Sequence, residues 1–460
     1  MTSLKVHLST WLSTEIEAIS QARTKFCTSA ESFSRAKILT FERCVVFLLN
    51  SPRRSLGVEM VEFFDGLKAL DELCSVSAWV QARQQIRAVV FVYLNMRLCE
   101  AYEEWQQVYS AADPLDVFGF HRLLGVDGTT LYLPQTEALA QHFGVQPNGK
   151  KDIVMARAVA CHDVRTNLCY HSHLGGINQG EEVPLPQWIQ TSRAEDIWIY
   201  DRGFPSYWLF WVHMQQQGHF LARMPATFGC VKDFIASGKA EDHVHYHPPK
   251  GTADSFKKND TELPDSLPAI PLRLIRVELS SGETEVLATS LFDRELYPAE
   301  AFAELYHQRW KVETFFDRLK NKLNLELFSG HLPIVIEQDF FASILLANIL
   351  EICLQAAEQQ LTQEPDQPQT LPQDAPEEHK QTQPPGYQYK INANIAVGIL
   401  KNRLTMVILG QQDDTGLDLI LQIMGQFRVP IRPHRSRPRT RRARKFKGRH
   451  QREQNYKRAV

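Results

Sequence analysis

Over residues 1–115 apolar positions recur at helical spacing, with few turn signals after Pro52. The run SLGVEMVEFFDGL, KALDELCSV, SAWVQARQQIR predicts a helix, a connection and a second helix. Ser77 is placed to cap that second helix, and Arg83, Gln84 and Arg87 fall on one of its faces. The spacing suits a helix-turn-helix-like reader of DNA and a plain helical bundle equally well. From about residue 116 the period changes to that of strands. Strands are predicted at 123–127 and 131–133, at 152–161 and 166–173 as a hairpin-like pair, at 197–200 and at 219–224. Residues 225–288 form an insertion rich in turns, prolines and alternating strands such as LRLIRVEL and TEVLATSL. The most apolar helix candidate, 340–354, is interrupted by Ser343, Asn348 and Glu351; it is too short to span a bilayer comfortably and is expected in a core. Residues 355–385 hold nine Gln and six Pro and cannot bury enough apolar area to offset the entropy of ordering. A linker is expected over 356–390. Helical periodicity returns over 391–430, where Ile391, Ile395, Ile399 and Met406 share a face.

Charge sharpens this division. The chain has 460 residues and a formal net charge of −2. Residues 431–460 alone carry 13 Lys and Arg against the single acid Glu453, which leaves 38 basic against 52 acidic groups in the rest. A local polycation on an acidic body suits neutralisation of nucleic-acid phosphates and release of their counterions. The eight cysteines are scattered, none in a Cys-x-x-Cys pair, and the first residues lack the pattern of a secretory signal. Reduced thiols in a cytoplasmic protein are the expectation.

The segment 306–320, YHQRWKVETFFDRLK, carries the densest chemistry. Tyr306, Arg309, Glu313 and Lys320 follow the spacing Y-x2-R-x3-E-x6-K. On one continuous helix they sit at roughly 0°, 300°, 340° and 320°, so an acid, two cations and a phenol share a stripe. Two acids stand upstream. Asp127 follows a short apolar run in LLGVDGTTLYLP, and Asp201 ends the β-rich run in DIWIYDRGFPSYWLF. An Asp at the end of each of two strands with a Glu on a later helix is an arrangement that builds a two-metal site.

These residues resemble the DDE transposases of bacterial insertion sequences, in particular the insertion-sequence-four type marked by a Tyr-Arg-Glu-Lys signature. The likeness runs from about Ser51 to Arg439. It implies an α/β, ribonuclease-H-like catalytic core in two parts, 116–224 and 289–355, separated by a β-rich insertion, 225–288. The separation of 112 positions from Asp201 to Glu313 suits such an insertion. The helical region 1–115 becomes a candidate for binding element ends, and 431–460 a basic DNA-binding tail. Catalytic and metal-binding roles fall to Asp127, Asp201 and Glu313, with Asp317, one turn on, as the rival that the family motif passes over.

Carboxylate oxygens are hard ligands that suit Mg²⁺ or Mn²⁺. Without a cation the cluster is unfavourable: two unit charges 4 Å apart repel by about 4 kcal/mol at an effective dielectric of 20. Two ions would bind the attacking and leaving oxygens of an in-line displacement, first by water and then by the freed 3′ hydroxyl. Arg309, Lys320 and Arg202 are expected to hold DNA phosphates, Tyr306 to hydrogen-bond a phosphate oxygen, and Gly203 to allow close backbone approach. The implied partners are double-stranded DNA, as element ends and target, and a second copy of the chain in the DNA complex. A transposase-derived DNA binder that no longer cuts, and a nuclease of the same fold without strand transfer, are the alternatives.

Three other constellations read as structural. His243, His245 and His247 alternate as on a polar edge or loop. Cys161, Cys169, His171 and His173 fit hairpin packing better than zinc. His162-Asp163 fits turn chemistry.

Overall fold

The computed structural model describes residues 4–35, 38–50, 53–109, 119, 122–147, 149, 152–279, 282–363, 389–410 and 415–431. Helices α1 (Leu4–Gln21), α2 (Phe41–Leu49), α3 (Leu56–Gly66), α4 (Val76–Arg83) and α5 (Val89–Tyr109) come first. Strands and short helices follow: β1 (Arg122–Tyr132), α6 (Glu137–Phe143), β2 (Val145–Gln146), β3 (Ile153–Asp163), β4 (Leu168–Gly176), α7 (Leu185–Ile189), β5 (Asp196–Tyr200), α8 (Tyr207–Gln215) and β6 (His219–Arg223). Next are α9 (Gly229–Ser237), β7 (Glu241–Tyr246), α10 (Thr252–Lys258), β8 (Ile270–Glu278), β9 (Thr284–Thr289), α11 (Ala301–His307) and α12 (Trp310–Asp317). The chain continues with α13 (Pro333–Gln363), β10 (Tyr389–Ile391), α14 (Ala393–Leu409), α15 (Thr415–Gln426) and β11 (Arg428–Pro430). Contacts divide it into two units: Met1–Ala101 with Lys322–Gly330 and Ile334–Val460, and Tyr102–Asn321 with His331–Pro333.

The first unit is helical. Its N-terminal helices do not close on themselves as a region 1–115, because α14 packs on α1, α2 and α3. Ser75, not Ser77, caps α4, accepting from the Ala78 amide. Arg83, expected on a DNA-reading face, is 1% exposed: it donates to Asp339 at 3.0 Å, to Gln338 and to Ser329. Arg53 also faces Asp339, at 3.7 Å. Burial pushes the Asp339 carboxyl up, but the two guanidiniums and Ser329 outweigh it and hold the group below its ordinary range. Helix α13 has 31 residues, twice the expected apolar stretch, and extends eight residues into the expected linker 356–390. Its segment Pro333–Leu361 is long and apolar enough to cross a membrane, yet 89% of its most apolar window is buried, as in a core helix. The expected linker beyond Gln363 up to residue 388, and the basic tail from residue 432 on, lie outside the described residues.

The second unit is a mixed α/β layer built on one sheet. The strand order is β2-β3-β1-β5-β6-β9-β8-β7, with β4 on β3. Strand β5, DIWIY, is buried along its whole length, which explains its unbroken apolar run: it pairs in parallel with β1 on one side and β6 on the other. The expected insertion, 225–288, holds strands β7 and β8 and most of β9. Its strands β7, β8 and β9 continue the central sheet through β6, with α9 and α10 between them. The hairpin β3–β4 runs two to three residues beyond its expected ends, and its turn is built by Asp163, which accepts from the amides of Leu123 and Arg165 and from the Thr166 hydroxyl. Cys161 and Cys169 are buried and His171 stacks on Trp188. His243 and His245 lie exposed on the edge strand β7.

Two buried histidines tie stability of this unit to pH. His162 packs against Phe315, and His213 shares a hydrogen bond with the Tyr200 hydroxyl at 2.8 Å. Burial, aided by Arg318 and Lys311 at His162 and by His219 at His213, pushes each down to about 3. The unfolded chain takes up these protons near pH 6.5 and the folded one does not, so stability is complete above that value and lost as pH falls below it. Each histidine is expected to cost about 2 kcal/mol between pH 7 and pH 5. Urea unfolding at both pH values checks this: His162→Phe should reduce the loss by about one histidine's share.

Candidate active site

Register does the first positioning. Arg122 and Asp196 are paired residues on β1 and β5, and the Arg122 Nε donates to Asp196 Oδ1 at 2.7 Å in a buried, two-pronged contact. Four residues further along, Val126 pairs with Tyr200. Asp127 and Asp201 therefore come one step past the last paired residues of adjacent parallel strands, about 4.8 Å apart in the sheet. Asp127 does not end its strand as the sequence suggested; β1 runs on to Tyr132 against β3 alone. The same alignment continues to β6, where Tyr200 pairs with Ala222, so Arg223 is the next member of the row. Its Nε stands 3.6 Å from Asp201 Oδ1 while its Nη1 binds Glu285 at 2.5 Å.

Glu313 arrives from above. Helix α12 crosses β1 at Gly125, where a Cβ would stand 2.7 Å from Val312 Cγ2; glycine permits that approach. The stripe 306–320 is not one helix. α11 stops at His307, a turn at 308–309 intervenes, α12 begins at Trp310, and a π-turn covers Arg318–Lys322. The break changes the azimuths, and the four stripe residues reach their places by tertiary packing. Arg309 is 3% exposed. Its Nη2 donates to Glu313 Oε1 at 3.0 Å and its Nη1 lies 3.9 Å from Asp127 Oδ2. The Tyr306 hydroxyl donates to Asp201 Oδ1 at 3.4 Å. Lys320 is spent on the strand, donating to Thr129 Oγ1 and the Thr130 carbonyl, both at 2.7 Å. Arg202 uses its backbone amide on Asp201, at 2.6 Å, and its side chain is exposed. Asp317 faces solvent and accepts from Asn321, away from this cluster.

Burial pushes Asp127 up to about 6, with Glu313 and Glu181 adding to the rise and Arg309 and the Gly128 amide opposing it. Tyr306 is pushed up to about 12, chiefly by burial. Burial acts against the charge on Arg309, but Tyr306, Asp201, Asp127 and Glu313 outweigh it and raise the group above its ordinary value. Its Nε and Nη1 make no hydrogen bond among the described residues. Among those residues no three acids, histidines or cysteines stand close enough to hold a metal ion. The donor chemistry nevertheless fits a hard divalent cation: Asp127 and Glu313 flank the Arg309 guanidinium, which supplies the positive charge between them, and Asp201 stands on the neighbouring strand end with the Tyr306 hydroxyl on its carboxylate. Sequence reasoning missed Arg223 and Glu181. An Arg closing the apolar strand HFLAR is a signal for the first; the second lies in a loop that no pattern marks.

The register contact is directly testable. Arg122→Met leaves Asp196 buried without its guanidinium, and the expected loss is about 3–5 kcal/mol in urea unfolding. A loss below about 1 kcal/mol, the range of exposed pairs, would mean that register is held elsewhere.

Comparisons place this geometry in a family. The chain matches the family described as "Transposase DDE domain" over residues 118–349, half of its length and the whole of the cluster above. It is 27% identical over 160 residues to a putative transposase of Sinorhizobium fredii, y4zB, covering 34% of this chain and 42% of that one. It is 29% identical over 83 residues to putative transposase InsL of insertion sequence element IS186A of Escherichia coli K12, covering 18% of this chain and 22% of that one. The chain thus spans less than half of the length of either relative. Among solved structures, a piggyBac transposase in a synaptic complex with hairpin DNA aligns over 92% of this chain and 82% of its own, at 9% identity and a TM-score of 0.40. Because the matched span covers half of the sequence and holds all three acids, the chain belongs to the DDE transposase domain family.

Proposed function

We propose that this chain is a DNA transposase of the Tyr-Arg-Glu-Lys subgroup, with a ribonuclease-H-like core, that cleaves at the ends of its mobile element and joins the freed 3′ ends to target DNA. The observation that carries this reading is the adjacency of Asp127 and Asp201 across β1 and β5, with Glu313 brought to the same guanidinium. Asp127, Asp201 and Glu313 would hold Mg²⁺ or Mn²⁺, two ions in the full site, which when bound supply charge neutralisation and an activated oxygen nucleophile. In the first reaction water displaces the 3′ oxygen from a phosphodiester; in the second the freed 3′ hydroxyl displaces a 3′ oxygen of the target strand. Each exchanges one oxygen on phosphorus for another, so one site serves both.

The remaining residues bind and orient. With the carboxylates holding a divalent cation, the Arg309 fork would be available to a phosphate, for which its planar donors are matched. Tyr306 keeps its proton at any working pH and donates to a phosphate oxygen. Exposed Arg202 holds a flanking phosphate. Lys320 acts from its tether on Thr129 and Thr130, positioning the Asp127 strand and lending charge to the DNA. Double-stranded DNA, a second copy of the chain in the DNA complex, and a cytoplasmic, nucleoid-associated location complete the reading.

Changing Asp127, Asp201 or Glu313 to Ala should abolish Mg²⁺-dependent cleavage and joining of labelled end DNA to a target plasmid, with end binding kept within a few-fold. Cleavage near the native rate by any of the three would falsify the assignment. Nicking without joined product by the native protein would instead point to a nuclease.

The segment 431–460 is proposed to bind DNA phosphates without reading sequence. Each phosphate it neutralises adds roughly 0.9 to the slope of log affinity against log salt. Its removal should flatten that slope and weaken binding to end and random DNA by similar factors. An unchanged slope, or loss of end recognition alone, would assign it another role.

A further inference from the structure

A fourth carboxylate stands beside this site without a part in the chemistry above. Glu181 lies in the loop between β4 and α7 and accepts from Arg157 Nη1 on β3 at 2.9 Å. Its side chain lies flat against Gly128, the residue after Asp127: a Cβ there would stand 2.2 Å from Glu181 Cδ and 2.5 Å from Oε1. Glu181 and Arg157 also line, with Glu182, Gly203 and Phe204, a cavity of about 190 Å³. That cavity is bounded on its far side by the turn after Asp201, which is closed by the Phe204 amide on the Asp201 carbonyl at 3.1 Å. The loop carboxylate therefore touches the strand of one catalytic aspartate and faces the turn of the other, and its charge reaches both.

An ion pair kept only for stability has no reason to sit there. A partly exposed pair of this kind contributes little to folding, whereas a carboxylate beside two others opposes the metal-free fold. The arrangement gains sense when a cation is bound, because a further negative charge nearby adds to its attraction and groups beyond the ligands hold the ligating segment in place. Resting on the function proposed above, we infer that Glu181, held by Arg157 against Gly128, is a positioning residue: it fixes the Asp127 segment and strengthens the hold of Asp127 and Asp201 on a divalent cation.

The test is a Mn²⁺ titration of the full-length protein without DNA, read as the rise in thermal midpoint, together with end cleavage as a function of Mn²⁺. In Glu181→Gln the half-saturating Mn²⁺ should rise about tenfold, while the metal-free midpoint stays or increases because repulsion is relieved. Glu181→Asp, which retains the charge, should recover most of the loss. Gly128→Ala should copy Glu181→Gln, since a methyl group there would occupy the space of the Glu181 side chain and drive it from its place beside Asp127. A lower metal-free midpoint with unchanged half-saturation would make Glu181 a plain structural residue and overturn the inference. Asp127→Asn separates the two levels. If Asp127→Asn removes the Mn²⁺ response and Glu181→Gln leaves it intact, only this inference fails. If the native protein shows no response, or Asp127→Asn retains it, the reading of the site fails with it.

Discussion

The buried contact between Arg122 and Asp196 sits at one end of the β1–β5 pairing, and the two candidate catalytic aspartates emerge at the other. Strand pairing transmits alignment without loss: a slip of one residue would turn every side chain to the opposite face. With Arg122 opposite Asp196, Val126 must lie opposite Tyr200, and Asp127 beside Asp201. Asp196 is wholly buried, so leaving it without its guanidinium is expensive and alternative registers are disfavoured. The row then extends to Arg223 on β6 by the same rule. A salt bridge far from any chemistry thus decides which groups meet where the chemistry is expected.

The second requirement is a cation. Asp127 and Glu313 are drawn toward a shared guanidinium, and Asp127 is still pushed up to about 6. Arg309 is the group that lets Asp127 and Glu313 coexist in a buried corner. Among the described residues its Nε and Nη1 make no hydrogen bond, and Nη1 meets Asp127 only as an ion pair at 3.9 Å, which suits a side chain able to change partners. The helix break before Trp310 is what allows Tyr306 to turn toward Asp201 while Arg309 and Glu313 face Asp127.

The helical unit follows a parallel logic with a different purpose. Asp339 on α13 is fully paired, by Arg83 and Arg53 with Ser329 in support, and its carboxyl is held below the ordinary range, whereas Asp127 is pushed above it. A saturated buried acid specifies packing; an undersatisfied one marks a place where further positive charge can bind.

Much of this was determined by the sequence itself. The change from helical to strand period near residue 116, the β3–β4 hairpin, the buried run of β5 and the turn chemistry of His162-Asp163 depend on interactions within a few residues, and local pattern reports them. Asp127 and Asp201 stand out as charges at the edges of apolar strand runs, whereas Glu313 is preferred to Asp317 on the same aromatic-rich segment only through the family resemblance. Tertiary structure decided what such patterns cannot encode. It buried Arg83 against an acid 256 positions away, joined the strands of the expected insertion to the central sheet, interrupted the Tyr306–Lys320 stripe and tied Lys320 to β1. It also brought Arg223 and Glu181 to the aspartates. In each case the deciding term is the desolvation of a charge or the register of a strand, and both are set by partners remote in the chain.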